Sequence, residues 1–149
     1  MSITLAELGE TELLDRLARF APPGQLNDDT ALLPPDSRAL LVNTDVMVEG
    51  VHFSDATTAP ADVGWRAVVA NLSDLAASGS EQVEGITVGL VAPGTTSWWW
   101  VEQVYEGISE ALEHFGGTLL GGDCSTGNQR LLSISAFGRL GPLRLHRAQ

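Results

Sequence analysis

Apolar side chains recur every three or four residues in three stretches of the chain, which is the spacing of the buried face of a helix. Thr4 with Glu7 is typical of a capping box, Pro60 suits the first turn of a helix, and Ser97 opens the third stretch. Proline or glycine residues end each stretch. The pattern therefore predicts helices that run from Thr4 to before Pro22, from Pro60 to Gly79 and from Ser97 to Gly116.

The apolar positions of each stretch share one helical face, and we expect these faces to be buried. They are Leu13, Leu14, Leu17 and Phe20 in the first helix, Val68, Leu72 and Leu75 in the second, and Val101, Val104, Ile108, Leu112 and Phe115 in the third. Trp98, Trp99 and Trp100 are consecutive, so at about 100° per residue they cannot all face one core. At least one of these tryptophans is predicted to be exposed or at an interface.

Shorter apolar runs between the helices predict strands. The predicted strands are Ala31–Leu33, Ala39–Asp45, Ile86–Val91, Thr118–Leu120 and Leu131–Phe137, and residues 46–59 are expected to be irregular. Along the chain the order is helix, strands, helix, strand, helix, strand, strand. This order predicts an α+β fold, a two-layer domain in which helices pack on one face of a mixed sheet.

The composition limits the classes of partner. At 149 residues, with 44% hydrophobic and 18% charged residues, the chain has the size and character of one globular domain. Its formal net charge is −11, and its basic residues are eight arginines with no lysine. Nucleic acids and anionic membrane surfaces are bound through basic patches, so neither is expected as a partner.

Cysteine content and hydropathy bear on the compartment. Cys124 is the single cysteine, which excludes an internal disulfide and a zinc site built from several thiolates. No apolar run approaches the roughly 20 residues needed to cross a bilayer. We therefore expect a soluble cytoplasmic protein, in which Cys124 is either a reactive thiol or, more in keeping with its type, a small buried filler.

Five of the aspartates lie in four short segments that read as strand ends, a loop or a helix face. The segments are Asn27-Asp28-Asp29, Asn43-Thr44-Asp45, Asn71-Leu72-Ser73-Asp74 and Gly121-Gly122-Asp123. Hard divalent cations take oxygen ligands, and Mg²⁺ bridges protein carboxylates to substrate phosphates. Without a lysine, a bound phosphate must be neutralised by such cations. The working hypothesis is metal-dependent phosphoryl transfer.

Each segment also has an ordinary structural explanation. An Asp28-Asp29 pair is commonly a solvated turn, and a Gly-Gly-Asp sequence is commonly a tight turn. Asp45 is more suggestive because it ends a strand beside the Thr44 hydroxyl. Asp74 gives the strongest local signal, because a carboxylate in a helix rich in alanine and leucine is either paired or functional.

Taken together, the motifs resemble those of a known family. They are the Asp-Asp pair, Asn-Thr-Asp at 43–45, His52-Phe53, Asn71 to Gly79, and Leu120-Gly-Gly-Asp. In this order they are similar to the N-terminal domain of thiamine-monophosphate kinase, a member of the aminoimidazole ribonucleotide synthetase-like superfamily. Asn27 replaces a glycine that is usual in the family, and Asn43 replaces a serine.

The resemblance implies roles for individual residues. The expected Mg²⁺ ligands are Asp28, Asp29, Thr44, Asp45, Asp74 and Asp123. His52 matches a substrate-binding position, and Gly122, Asp123, Arg147 and Tyr105 match positions that bind ATP. Three of these have alternatives: without the resemblance, His52 is an ordinary loop histidine and Tyr105 is a core residue. Arg147, like His146, is otherwise a surface residue, and His114 is expected to interact with the C-terminus of its helix.

The implied activity is Mg²⁺-dependent transfer of a phosphoryl group from ATP to thiamine monophosphate, which gives thiamine diphosphate. The alternatives are another ATP-dependent reaction of the superfamily, such as purine-precursor ring closure or selenophosphate synthesis, and a non-catalytic module that binds metal or nucleotide and dimerises. The family forms homodimers through this domain. Because the chain stops soon after His146, we expect residues 1–149 to be a single N-terminal domain without the second domain of the family.

Overall fold

A computed structural model describes residues 2–147. Four α-helices and four strands follow in the order α1 (Leu5–Leu8), α2 (Glu10–Leu17), β1 (Leu40–Val48), α3 (Pro60–Ala77), β2 (Ser80–Ala92), α4 (Trp98–Phe115), β3 (Thr118–Thr126) and β4 (Leu131–Leu140), with a 3₁₀ turn at Ala18–Phe20 after α2. No helix within residues 2–147 is both long and apolar enough to cross a bilayer.

The four strands form one mixed sheet in the order β1-β4-β2-β3. β4 runs antiparallel to both β1 and β2, whereas β2 and β3 are parallel. A parallel pair needs a crossover connection, and α4 supplies it. β1 and β3 are therefore the two edges of the sheet, although they carry aspartates that the sequence analysis assigned to one site.

Helices α3 and α4 cover one face of the sheet and enclose the core with it. Val63 and Val68 of α3, Val101 and Val104 of α4, and Ile134 of β4 are all completely buried. The helices cross closely because Gly64 and Gly107 present no side chain there. A Cβ on Gly64 would lie 1.9 Å from the Val104 carbonyl oxygen, and one on Gly107 would lie 1.9 Å from that of Ala61. The predicted α+β two-layer fold is confirmed.

Most helix boundaries agree with the local signals. Thr4 and Glu7 form the capping box, Pro60 is in the first turn of α3, and the Ser97 side chain accepts a hydrogen bond from the Trp100 N–H. The first predicted helix is wrong in one respect, because it is not continuous. Gly9 has a φ of 77°, outside the helical range, and it separates α1 from α2.

The strand predicted at Ala31–Leu33 is wrong. This segment has no strand partner, and Leu32 is 93% exposed. The prolines that follow remove backbone donors, and the Arg139 side chain instead fixes the segment by donating to the Pro34 carbonyl at 2.9 Å. The other strands exist and are longer than predicted, since β1 continues to Val48 through a region expected to be irregular.

Two residues of the predicted core stripes do not lie in the core. Leu14 and Phe115 are each about half exposed. Leu14 faces a cavity beside α2, and Phe115, in the last turn of α4, packs on Trp65 and His114 at the outer surface. The prediction for the tryptophans is confirmed, because Trp98 and Trp100 are buried whereas Trp99 is exposed.

Candidate functional site

A cavity of about 240 Å³ lies beside the edge strand β3. Four of its lining residues are acidic and none is basic: Glu10, Asp28, Asp29 and Asp123. Tyr105, Gly121 and Gly122 line it as well. The structure thus places three of the predicted metal ligands and three of the predicted ATP-binding residues at one cavity, with Asp123 in both sets. Its electrostatic character favours cations.

The Asp28-Asp29 pair reaches the cavity on a loop that is fixed at its start. The Gln25 N–H donates to the Pro22 carbonyl, and the Asn27 N–H donates to the Gly24 carbonyl, so the chain turns sharply before the two aspartates. The Gln25 side chain donates to the Leu120 carbonyl of β3 at 3.1 Å. This contact holds the loop against β3, and the sequence analysis did not identify Gln25.

The two glycines before Asp123 have different surroundings. A Cβ on Gly122 would lie 2.0 Å from the Val88 carbonyl oxygen, so close strand packing explains this glycine. A Cβ on Gly121 would meet nothing within 4 Å. Gly121 is therefore the glycine that leaves room for a ligand to approach the backbone, and the assignment of Gly122 to ATP binding stays a prediction.

Asp123 and Cys124 follow on the same strand. The Asp123 side chain is exposed and accepts a hydrogen bond from the Ser125 hydroxyl at 3.4 Å. Burial, with a contribution from the nearby Asp123 carboxylate, raises the pKa of the Cys124 thiol to about 11. The thiol therefore stays neutral at physiological pH, which agrees with a packing role rather than a reactive one.

Tyr105 lies in the wall of the cavity but is buried, and its ring centroid is 5.6 Å from that of Phe20. Burial raises the pKa of its phenol. Tyr105 therefore lies in the core, as in the alternative to ATP binding that the sequence analysis gave. Stacking of Tyr105 on a nucleotide base stays a prediction, and it requires the Phe20 side to open.

The other three predicted metal ligands, Thr44, Asp45 and Asp74, lie on β1 and α3 and are called the second group, although the Thr44 and Asp45 side chains face opposite sides of the sheet. Asn43 joins these two elements by donating to the side-chain oxygen of Asn71 at 2.9 Å, and Asn71 is buried. The Thr44 hydroxyl shares a hydrogen bond of 2.8 Å with Ser135. Asp45 and Asp74 are both exposed. The exposed Asp74 carboxylate needs no partner to offset burial, and its role as a metal ligand stays a prediction.

The two groups lie at opposite edges of the sheet. Asp45 pairs with Ile134, Ile134 with Val88, and Val88 with Gly122, so that Asp45 and Gly122 are three strand spacings apart, or about 14 Å. Among residues 2–147, no three His, Cys, Asp or Glu side chains come close enough together to hold a metal ion. The predicted six-residue ligand set is thus divided within the chain, and its metal binding stays a prediction.

His52 lies in a hydrogen-bonded turn after β1 and is exposed. Its Nδ1 accepts a hydrogen bond from the Val48 N–H at 2.9 Å, and its carbonyl accepts one from Arg66. Nδ1 accepts this bond, and within residues 2–147 Nε2 has no hydrogen-bond partner and can face a ligand.

Arg147 is exposed and lies three residues after Arg144. The C-terminal segment is anchored at Arg144 and Leu145, because the Arg144 side chain and the Leu145 N–H both donate to the Ser78 carbonyl at the end of α3. His146 is exposed as expected.

The family model for AIR synthase related protein, N-terminal domain, matches residues 27–140. The chain belongs to this family. Thiamine-monophosphate kinase of Prochlorococcus marinus is 57% identical over 144 residues, which are 97% of this chain and 43% of that protein. The enzyme of the same name from Synechococcus elongatus is 46% identical over 145 residues, which are 97% of this chain and 44% of that protein.

The solved complex of AaThiL with AMPPCP and TMP is 33% identical, covering 93% of this chain and 44% of that chain with a TM-score of 0.66. The chain spans less than half the length of the curated relatives that it matches. The resemblance to the N-terminal domain of thiamine-monophosphate kinase is confirmed.

Proposed function

We propose that this domain takes part in Mg²⁺-dependent phosphoryl transfer from ATP to thiamine monophosphate, which yields thiamine diphosphate in the cytoplasm. The observation that carries the proposal is the acidic cavity beside β3, in which four carboxylates and no basic side chain surround the open backbone at Gly121. A site of this charge accepts polyphosphate only together with cations. The similarity to thiamine-monophosphate kinases supports the identity of the substrates.

The donor set fits magnesium, because carboxylates and the Thr44 hydroxyl offer only oxygen ligands. Asp28, Asp29 and Asp123 would hold the ion at the cavity, and Thr44, Asp45 and Asp74 at the second group. Bound Mg²⁺ neutralises phosphate charge and stabilises the transferred phosphoryl group. A phosphate monoester has a second pKa of about 6, so the acceptor is already anionic near neutral pH and the chain need not supply a general base.

ATP binds, in this proposal, at Gly122, Asp123 and Tyr105, with Arg147 as the fixed positive charge near the nucleotide. His52 contacts the acceptor through its free Nε2. Arg147 is exposed on a segment anchored to the end of α3, and His52 is exposed in a hydrogen-bonded turn, so both are available to ligands.

A homodimer would assemble the site from both groups of aspartates. The sheet face opposite α3 and α4 exposes the apolar side chains of Leu40, Val42 and Val46, and Val42 is 59% exposed. Such a surface is typical of an interface between subunits. Association through this face would bring a second copy of Asp123 and Asp45 into the assembly, so that groups about 14 Å apart in one chain need not act alone.

The test is to replace the ligands one at a time. Asp45→Asn and Asp74→Asn remove a charge from exposed positions, so the fold should persist while Mg²⁺-dependent formation of thiamine diphosphate falls by at least about 100-fold. The control is a loss of charge of the same kind elsewhere on the surface. Glu110→Gln, an exposed change on α4, removes the same charge away from both groups.

Wild-type turnover in both aspartate variants would refute the assignment of the metal ligands. Circular dichroism and thermal melting establish that each variant is folded, so a loss of turnover is not a loss of structure.

The division of the aspartates into two groups also favours a second candidate, a domain that binds metal or nucleotide and associates without catalysis. Titration with Mg²⁺ and ATP, together with sedimentation and an assay for ADP release, separates the two functions. Binding and dimerisation without ADP release would favour the second candidate.

A further inference from the structure

Gln25 makes the contact that joins the two halves of the acidic cavity. Its side-chain amide donates a hydrogen bond to the Leu120 carbonyl at 3.1 Å. Gln25 lies three residues before Asp28 in the loop, and Leu120 lies three residues before Asp123 on β3. The bond therefore links the two segments that carry the carboxylates of this cavity, and it does so close to the carboxylates themselves.

Leu120 is the extra residue at a shift in strand register. Leu119 and Gly121 pair with consecutive residues of β2, so Leu120, between them, has no partner there. Leu119 and Leu120 are both buried, although successive side chains of a regular strand point to opposite faces. An extra residue of this kind re-aims the side chains that follow it and is common beside functional sites. Here the strand leads on to Asp123, and Gln25 binds the carbonyl at the irregular position.

The backbone around Gln25 is fixed by two short turns. The Gln25 N–H donates to the Pro22 carbonyl at 3.0 Å, and the Asn27 N–H donates to the Gly24 carbonyl at 3.2 Å. Gly24 has a φ of 77°, which suits glycine. These turns restrict the backbone that carries the Gln25 side chain, so its amide reaches β3 at a low cost in conformational entropy.

The loop after Gln25 has few other contacts. In the part of the chain that the structure describes, residues 28–33 make no hydrogen bond. The next anchor is the Pro34 carbonyl, which accepts a hydrogen bond from the Arg139 side chain at 2.9 Å. The two aspartates of the loop lie three and four residues after Gln25, but six and five residues before Pro34. The Gln25 contact is therefore the anchor that limits their positions most.

Metal binding at this cavity requires its carboxylates to approach one another. Within residues 2–147, no three acidic, histidine or cysteine side chains lie close enough together to hold a metal ion. A loop that is ordered when its ligand binds weakens binding by the free energy of that ordering. An anchor that already restricts the loop reduces this cost, so the affinity for the cation depends on the anchor.

We propose that Gln25 is a positioning residue for Mg²⁺ and the nucleotide bound with it. Its bond to the Leu120 carbonyl keeps Asp28 and Asp29 beside Asp123, and Gln25 itself does not touch the ion. This assignment rests on the proposed function. Glutamine suits the role, because its amide donates to a carbonyl and brings no charge into an acidic cavity.

The first test is Gln25→Met, which keeps the length of the side chain and removes its donor. Calorimetry with Mg²⁺ and AMPPCP should show binding weakened about three- to tenfold, the range expected for the loss of one hydrogen bond. The melting temperature should stay within about 2 °C of wild type, because the loop can loosen without exposing the core.

The matched control is Gln129→Met. The Gln129 side chain also donates to a backbone carbonyl, that of Glu49 at 3.3 Å, and neither residue lines the acidic cavity. This control loses a donor of the same kind and should bind Mg²⁺ and AMPPCP as the wild type does.

A double-mutant cycle separates positioning of the loop from a general effect on β3. In a protein that carries Asp28→Asn and Asp29→Asn, Gln25→Met should weaken the remaining binding by no more than about twofold, because the loop has no carboxylate left to position. A loss of equal size in both backgrounds would show that Gln25 acts on β3 itself, which would overturn the proposal.

The same measurements distinguish this inference from the proposed function. If Gln25→Met binds Mg²⁺ and AMPPCP as the wild type does, the inference is overturned, while wild-type turnover leaves the proposed function intact. If the wild-type protein binds neither Mg²⁺ nor AMPPCP, the metal site of the proposed function is wrong and the positioning role fails with it.

Discussion

At the scale of single residues, neighbouring positions on β3 have different surroundings. Gly122 permits the close approach of β2, since any Cβ there would meet the Val88 carbonyl, whereas Gly121 faces open space. Asp123 is exposed, but Cys124 packs against the core. Alternation of side chains along a strand explains how adjacent residues come to face different surroundings.

The two glycines give the first prediction. Gly121→Ala should leave the melting temperature within about 2 °C of wild type and weaken binding of Mg²⁺ with AMPPCP, because the new methyl group occupies ligand space. Gly122→Ala is the matched comparison and should lower stability by about 1–3 kcal/mol, because its methyl group meets backbone. Thermal melts and calorimetry measure both effects. Equal melting temperatures for the two variants would contradict this account.

Cys124 gives a prediction about pH. Its pKa in the native chain is about 11, against an ordinary 9.0, so at pH 8 the native thiol should react with iodoacetamide about 100-fold more slowly than in the urea-unfolded chain. Because the native pKa is raised, the neutral thiol stabilises the fold fully below pH 9, and this contribution disappears as the pH rises towards 11. Comparable alkylation rates in the native and unfolded chains would show that the thiol is not protected.

At the scale of elements, the crossing of α3 and α4 depends on two glycines with no room for a side chain. Local sequence signals start and stop these helices, but the separation of their axes is set where Gly64 and Gly107 meet backbone of the other helix.

Gly107→Ala should therefore destabilise the protein despite the higher helix propensity of alanine. Propensity favours alanine by about 1 kcal/mol, but a Cβ placed 1.9 Å from the Ala61 carbonyl forces the helices apart at a cost of about 3 kcal/mol or more. Urea unfolding gives the difference, with Gly121→Ala as the control in open space. A stabilised Gly107→Ala variant would mean that the crossing is wider than the structure has it.

At the scale of the whole molecule, one face of the sheet is covered by helices and the other exposes apolar side chains of β1. The edges of this sheet separate the two groups of aspartates that the sequence analysis combined into one site. The proposed assembly with a second copy would therefore bring further copies of these aspartates to the site.

Val42→Asp should convert a dimer into a monomer, because it introduces a charge into the uncovered apolar face. Phe115→Glu, a charge at an apolar position on the outer surface of α4 that is about half exposed, is the control and should leave the association unchanged. Sedimentation equilibrium measures both. A Val42→Asp variant with the wild-type molecular mass would place the interface elsewhere.

Much of the fold was predictable because its signals are local. The Thr4–Glu7 capping box, Pro60 and Ser97 each act on backbone within one turn, so they set helix boundaries regardless of the rest of the chain. The strand expected at Ala31–Leu33 failed because a strand needs a partner, and no short segment specifies its own partner.

By itself, the sequence determined the chemical character of the site and the family, since carboxylates without a lysine and a set of ordered motifs can be read without coordinates. Only the tertiary structure decided which aspartates share a cavity and that Gly121 rather than Gly122 faces open space. It also decided that Trp99 is the exposed one of the three consecutive tryptophans. The physical reason is that strand order and helix packing depend on contacts between residues far apart in the chain, and burial and proximity follow from those contacts.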